Sequence, residues 1–120
     1  MTSARRFLVV EDEYLIALLI EEYLADLEHQ VVAVAVTLGD ALEQAHEGAF
    51  DAALLDLQLG GASSYPVADI LSRRGIPFAF VTGRAEGDVP AAYGTVPMLC
   101  KPFRFADFMA IIARLLPANG

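Results

Sequence analysis

The sequence predicts an α/β domain: a parallel sheet of five strands with helices on both faces. Three observations predict it. Short, uninterrupted apolar runs recur along the chain, as strands buried on both faces require. Segments with apolar residues at helical spacing separate them, the alternation that builds parallel sheets. The length of 120 residues suits one such domain, which can hide roughly two-thirds of its unfolded surface.

The first strand is Phe7-Leu8-Val9-Val10, which runs straight into Glu11-Asp12-Glu13. From about Tyr14 to Leu27, the residues Leu15, Leu18, Leu19, Tyr23, Leu24 and Leu27 recur at helical spacing and are expected on the inward face of a helix. Val31 to Val36 is rich in valine and alanine and reads as the second strand. Asp40 to Glu47 is a short amphipathic helix with Leu42 and Ala45 inward, stopped by Gly48. The third strand, Ala52-Ala53-Leu54-Leu55, ends on Asp56, and Gly60-Gly61-Ala62-Ser63-Ser64 is a loop. Pro66 suits the first turn of a helix that runs to Arg74 and ends at Gly75. Ile76 to Val81 is the fourth strand, stopped by Thr82-Gly83, and Pro97 to Cys100 is the fifth. Between these two strands, Gly83, Gly87, Pro90 and Gly94 break any periodicity, so a long regular fourth helix is not expected there. The last helix covers Phe105 to Leu116, with Phe108, Met109, Ile112, Leu115 and Leu116 on one side, and Pro117 begins a tail.

Composition narrows the function. Hydrophobic residues make up 56% of the chain, which disfavours disorder. The net charge of −8 repels nucleic acid and anionic lipid, so neither is an expected partner. The single cysteine, Cys100, excludes an internal disulfide and fits a reducing compartment. No apolar run approaches the roughly 20 residues that span a bilayer. The apolar run Phe7 to Val10 is too short for a signal peptide. The expectation is a cytoplasmic, monomeric protein.

The polar residues that end the strands carry the chemistry. They are Glu11 and Asp12 after the first strand, Asp56 after the third, Thr82 after the fourth and Lys101 after the fifth. In an open α/β sheet, ligands bind outside the carboxyl ends of the strands, so all five should meet on one rim. Clustered carboxylates raise one another's pKa unless a cation sits among them. A hard divalent ion with oxygen ligands is the natural occupant, and Mg²⁺ takes one or two carboxylates and completes its shell with water and phosphate oxygens. A carboxylate beside Mg²⁺ can attack an activated phosphorus. Mg²⁺ and Lys101 would neutralise charge, while Thr82 would donate a hydrogen bond to a phosphoryl oxygen.

The pieces Phe7-Leu8-Val9-Val10-Glu11-Asp12-Glu13, Leu54-Leu55-Asp56, Val81-Thr82-Gly83 and Lys101-Pro102-Phe103 resemble the receiver domain of bacterial two-component response regulators. The resemblance covers nearly the whole chain and implies one receiver domain over residues 1–120 with no output domain. It implies the flavodoxin-like (CheY-like) fold with strand order 2-1-3-4-5. It also implies Asp56 as phosphoacceptor, Glu11, Asp12 and Asp56 as Mg²⁺ ligands with the backbone carbonyl of Gln58, and Thr82 and Lys101 as catalytic partners. The implied donor is a sensor histidine kinase or a histidine phosphotransfer protein. A cis Lys101-Pro102 bond is implied as well. Pro77-Phe78-Ala79-Phe80-Val81-Thr82-Gly83 is similar to the FAT GUY class of receivers, with Val81 in place of that motif's alanine. Gly60-Gly61 and Pro66-Val67-Ala68-Asp69 also fit this class, which implies a kinase of the HWE (HisKA2) type.

One departure bears on signalling. Common receivers carry an aromatic switch residue three positions before the lysine, and here that position is Met98. The expectation is therefore that activation orders Gly83 to Val96 and that Tyr93 and Phe108 face a partner. Gln58 and Arg84 stand where receivers tune dephosphorylation. Met98 and Cys100 are expected in the core. His29 and His46 have no ligand-type residues at metal spacing and are expected at the surface without a role. A flavodoxin-like electron carrier is disfavoured, because Glu11-Asp12-Glu13 repels a bare phosphate. An aspartyl phosphatase is disfavoured because Gln58 stands where its second acid belongs. A pseudo-receiver that binds partners without taking phosphate is the alternative.

Overall fold

The computed structural model describes residues 4–83 and 90–116. Five parallel strands form the sheet: β1 (Arg6–Val10), β2 (Gln30–Ala35), β3 (Ala52–Asp56), β6 (Phe78–Thr82) and β7 (Met98–Cys100). Their order is β2-β1-β3-β6-β7, the expected 2-1-3-4-5 when the five are numbered among themselves. A small antiparallel hairpin, β4 (Gln58–Leu59) and β5 (Ala62–Ser63), stands apart from the sheet. Gly60 to Ser64 is therefore not the plain loop its composition predicts. The hairpin forms because Gly60 and Gly61 both adopt positive φ, 54° and 89°, which glycine takes without steric cost.

Helices cover both faces. The helices α1 (Tyr14–Asp26) and α4 (Phe105–Leu115) pack on one core with Phe7, Val9, Leu54, Ala79 and Leu99. On the other face, α2 (Leu38–Glu47) and α3 (Tyr65–Arg74) pack with Leu8, Val10, Leu55, Phe78 and Phe80. The central strands β3 and β6 are buried along their whole length, so their apolar runs are continuous. Among the described residues between the fourth and fifth strands of the sheet there is a short 3₁₀ turn, Ala91–Tyr93. The positions Arg84 and Gly87, and the tail from Pro117, lie outside the described residues.

Thr37 caps α2 by accepting a hydrogen bond from Asp40 N–H at 3.1 Å. Gly75 ends α3 in the left-handed conformation, with φ 71°. Strand β2 is irregular: Phe7 pairs with Val31 but Leu8 pairs with Ala33, so Val32 is skipped.

Several inward assignments are corrected. Leu15 is 75% exposed and Leu18 38%, because α1 is apolar nearly all round and turns Ala17, Ile20 and Leu24 to the sheet instead. Met109 also faces solvent, and Ile111 takes the inward place on α4. Cys100 is exposed, since β7 is a short edge strand, whereas Met98 is half-buried against the core. Tyr93 and Phe108, expected on a partner surface, are both buried. His29 is half-buried and accepts a hydrogen bond from Arg5 N–H.

Candidate functional site

Glu11, Asp12, Asp56, Thr82 and Lys101 stand at or just past the carboxyl ends of their strands, and the parallel register brings them to one rim, while Gln58 opens the hairpin beside Asp56. Val10 and Leu55 are cross-strand partners, so Glu11 and Asp56 leave neighbouring strands side by side. Asp56 pairs with Val81, and Thr82 with Cys100, which places Thr82 and Lys101 on the other flank. The Lys101 backbone N–H donates to the Thr82 carbonyl at 2.7 Å and fixes that flank. The Lys101-Pro102 bond is cis, as the resemblance implied. Just beyond it, Phe103 is buried, stacked on Phe108 with ring centres 6.1 Å apart and edge-on to Tyr23 at 6.2 Å. This packing anchors the loop that presents the lysine.

Ligand atoms of Glu11, Asp12 and Asp56 lie within 4.8 Å of one another. Glu11, Asp56 and Thr82 are buried, and Asp12 is exposed at the mouth. Lys101 Nζ lies 3.3 Å from Asp56 Oδ2, 3.1 Å from Glu11 Oε1 and 2.8 Å from Glu13 Oε1. Asp12, Glu13, Asp56, Gln58, Gly60, Gly61, Thr82, Gly83 and Lys101 line a cavity of about 510 Å³. Gln58 N–H donates to Asp56 Oδ1 at 3.3 Å.

The electrostatics follow from crowding. Burial, reinforced by Asp56 and opposed by the Glu13 N–H and Lys101, pushes the Glu11 carboxyl up to about 7. Burial pulls Lys101 down. Its pairing with Glu13, Glu11 and Asp56 outweighs that and holds the ammonium above the ordinary lysine range. Glu11 Oε1 is buried and, apart from its ionic contact with Lys101, has no hydrogen-bond partner among the described residues. A buried carboxylate oxygen with unfilled lone pairs, beside two more carboxylates, fits a hard divalent cation better than it fits an empty rim.

Two contacts at the rim escaped the sequence reading. Glu13 makes the shortest ion pair to Lys101, and the acid run Glu11-Asp12-Glu13 was its signal. Gly60 N–H donates to Asp12 Oδ2 at 2.9 Å, from the hairpin that the loop assignment hid.

A five-stranded doubly wound sheet with this acidic rim defines the receiver class. The chain belongs to that family: residues 7–113 match the response regulator receiver domain. It is 33% identical to the phyllosphere-induced regulator PhyR of Methylorubrum extorquens, over 94% of this chain and 44% of that protein. Its structure is similar to SdrG of Sphingomonas melonis, with a TM-score of 0.85 and 39% identity over 96% of this chain and 98% of that one. The response regulator PhyR of Brucella abortus gives a TM-score of 0.82 at 32% identity, over 96% of this chain and 49% of that one. The chain thus spans about half the length of the PhyR relatives and nearly all of SdrG.

Proposed function

We propose that this chain accepts a phosphoryl group on Asp56 from a phosphohistidine donor and passes the signal on by protein contact or onward phosphotransfer. The observation that carries the reading is the meeting of three carboxylates within 4.8 Å, with Lys101 Nζ 3.3 Å from one oxygen of Asp56. Glu11, Asp12, Asp56 and the Gln58 carbonyl would hold Mg²⁺. When bound, that ion supplies positive charge against the donor's phosphoryl oxygens and lets the carboxylates approach them.

An Asp56 carboxylate oxygen attacks the phosphorus, the new P–O bond forms, and the P–N bond to the donor imidazole breaks. The imidazole keeps the electron pair and takes a proton from solvent. Lys101 stabilises the growing negative charge on a phosphoryl oxygen, and Thr82 donates to another. The donor is a sensor histidine kinase, with the HWE (HisKA2) type favoured by the strand-four motif, or a histidine phosphotransfer protein. The names of the relatives, a phyllosphere-induced regulator and a response regulator, favour a regulatory output over onward transfer alone.

Incubation with acetyl phosphate and Mg²⁺ should add one phosphoryl mass to the intact protein, and chelation or Asp56→Asn should abolish the gain. Lys101→Ala should leave the fold intact and slow labelling about ten- to a hundredfold, the worth of one charge-assisted contact. A pseudo-receiver would show no mass gain under any of these conditions, and unchanged labelling of Asp56→Asn would refute the acceptor assignment.

A further inference from the structure

Position 98 lacks the ring that common receivers use to report phosphorylation, yet a ring occupies the neighbouring space. Phe80 is the cross-strand partner of Met98. Tyr93, from the short 3₁₀ turn, stands edge-on to Phe80 with ring centres 5.7 Å apart. It also stacks on Tyr65, at 5.2 Å with the ring planes nearly parallel. Tyr65 closes the triangle, edge-on to Phe80 at 6.0 Å. The Tyr93 hydroxyl donates to the Asp69 carboxylate and lies 3.4 Å from the Tyr65 carbonyl. The ring is only 9% exposed. Burial and the Asp69 carboxylate push the phenol up to about 12, so the hydroxyl stays a donor throughout the physiological range.

Two routes join this triangle to the rim. Phe80 and Thr82 are two residues apart on β6, so strand alternation puts them on the same face. The second route is the hairpin. It starts at Gln58, whose N–H donates to Asp56, takes the Gly60 N–H contact to Asp12, and ends where Tyr65 N–H donates to Ser63 Oγ at 3.1 Å. Between hairpin and helix, Ser64 is fully buried at the N-cap of α3. Its hydroxyl does not cap the helix and has no partner among the described residues. The hydroxyl is thus a buried polar group at the joint that the contacts of this arrangement leave unsatisfied.

We propose that Tyr93, hydrogen-bonded to Asp69 and stacked on Tyr65, is the latch through which the Asp56 rim reports to the segment from Pro90 to Pro97, in place of a ring at position 98. The proposal rests on the phosphoacceptor reading above. In the latched arrangement, Tyr93 ties the 3₁₀ turn to Tyr65 and Asp69 in the first two turns of α3. Movement of Thr82 toward a phosphoryl group shifts Phe80. Occupation of the metal pocket competes for Asp12 and frees the tip of the hairpin. Both displacements act on the same stack, which then gives up Asp69 and releases the turn, the reverse of the ordering that the glycines and proline of this segment suggested.

Backbone amide NMR with and without beryllofluoride and Mg²⁺ tests this on the full chain. In the wild type, beryllofluoride should shift Leu57, Gln58 and Gly83 at the rim and also Ala92 to Val96 and Val67 to Ile70. Tyr93→Phe keeps the ring and removes the hydroxyl. It should leave the rim shifts in place while roughly halving or abolishing those of Ala92 to Val96, because the turn is already released. Asp69→Asn should act in the same direction and serves as a second variant should Tyr93→Phe fold poorly. Wild-type responses at Ala92 to Val96 in both variants would overturn the latch while leaving the phosphoacceptor reading intact. No rim response in the wild type would defeat that reading and the latch with it.

Discussion

Burial and a backbone hydrogen bond give His29 a preference for its neutral form. Its Nδ1 accepts from Arg5 N–H at 3.0 Å, and its ring lies 5.5 Å from that of Phe7. Desolvation lowers its pKa first, nearby Arg5 lowers it further, and Glu28 opposes both. The folded value therefore lies below the unfolded one, near 6.5. The stability this preference contributes is complete above the unfolded value and is lost as pH falls through the folded value. Melting temperature measured from about pH 7.5 down to about pH 5 should fall more steeply in the wild type than in His29→Gln. Equal slopes would show that the bond carries no linkage. Individual residues were unevenly legible in the sequence. Glu11, Asp12, Asp56, Thr82 and Lys101 could be named because each ends an apolar run, and strand ends in a parallel sheet share a rim. His29 could not, since its role comes from Arg5, a partner just ahead of the first strand. Glu13 was hidden differently: it sits in the right acid run, but its pairing with Lys101 depends on the turn into α1.

Arg74 joins two elements that touch nowhere in sequence. Its guanidinium donates to the Ala45 carbonyl at 2.6 Å and to the Gly48 carbonyl at 3.1 Å, and lies 5.6 Å from the centre of the Phe50 ring. The last carbonyls of α2 have no partners within their own helix, so an arginine from α3 satisfies them and favours the negative end of the helix dipole. Arg74→Ala should cost about 1–3 kcal/mol in urea unfolding, through lost charged hydrogen bonds and lost stem packing. A change within about 0.5 kcal/mol, the range of ordinary surface substitutions, would contradict this clamp. Among the elements, strands were easier to read than helix faces. The apolar runs at β1, β3 and β6 have one interpretation because both faces are buried. In α1, leucine, isoleucine and tyrosine surround the axis, and periodicity cannot choose among several possible stripes. Tyr23 was placed correctly: it meets Phe105 and Phe108 of α4 across the face. Leu15 and Leu18 were not. The hairpin β4–β5 was missed because two-residue strands leave almost no alternation to read.

Across the whole molecule, charge is concentrated at the carboxyl rim of the sheet. Glu11, Asp12, Glu13 and Asp56 share it with one lysine. Bringing these groups together opposes folding, and a bound cation relieves that opposition. Mg²⁺ at a hundredfold its dissociation constant should add about 2.7 kcal/mol, or about 10 °C in melting temperature. Ca²⁺ or Mn²⁺ should act similarly, and a monovalent salt of matched ionic strength should do far less. Glu11→Gln should raise the melting temperature of the metal-free protein and shrink the gain from Mg²⁺. An undiminished gain would remove Glu11 from the ligand set. The strand order was legible only through resemblance, since hydrophobic pattern gives the number of strands and not their neighbours. The segment between Thr82 and Met98 was legible as an interruption, but not as the place from which Tyr93 reaches Phe80.

Strand β2 bounds the sheet, and no strand among the described residues pairs with its outer side. A valine-rich margin of this kind is the usual template for intermolecular strand addition and fibre growth. The skipped Val32 changes that outlook. It sets the donor and acceptor groups on either side of it out of step, so an incoming straight strand can match one half of the margin or the other, never both. The irregularity between Phe7 and Leu8 should thus disfavour edge-to-edge strand addition in a concentrated solution of this protein, at a site remote from any phosphate chemistry.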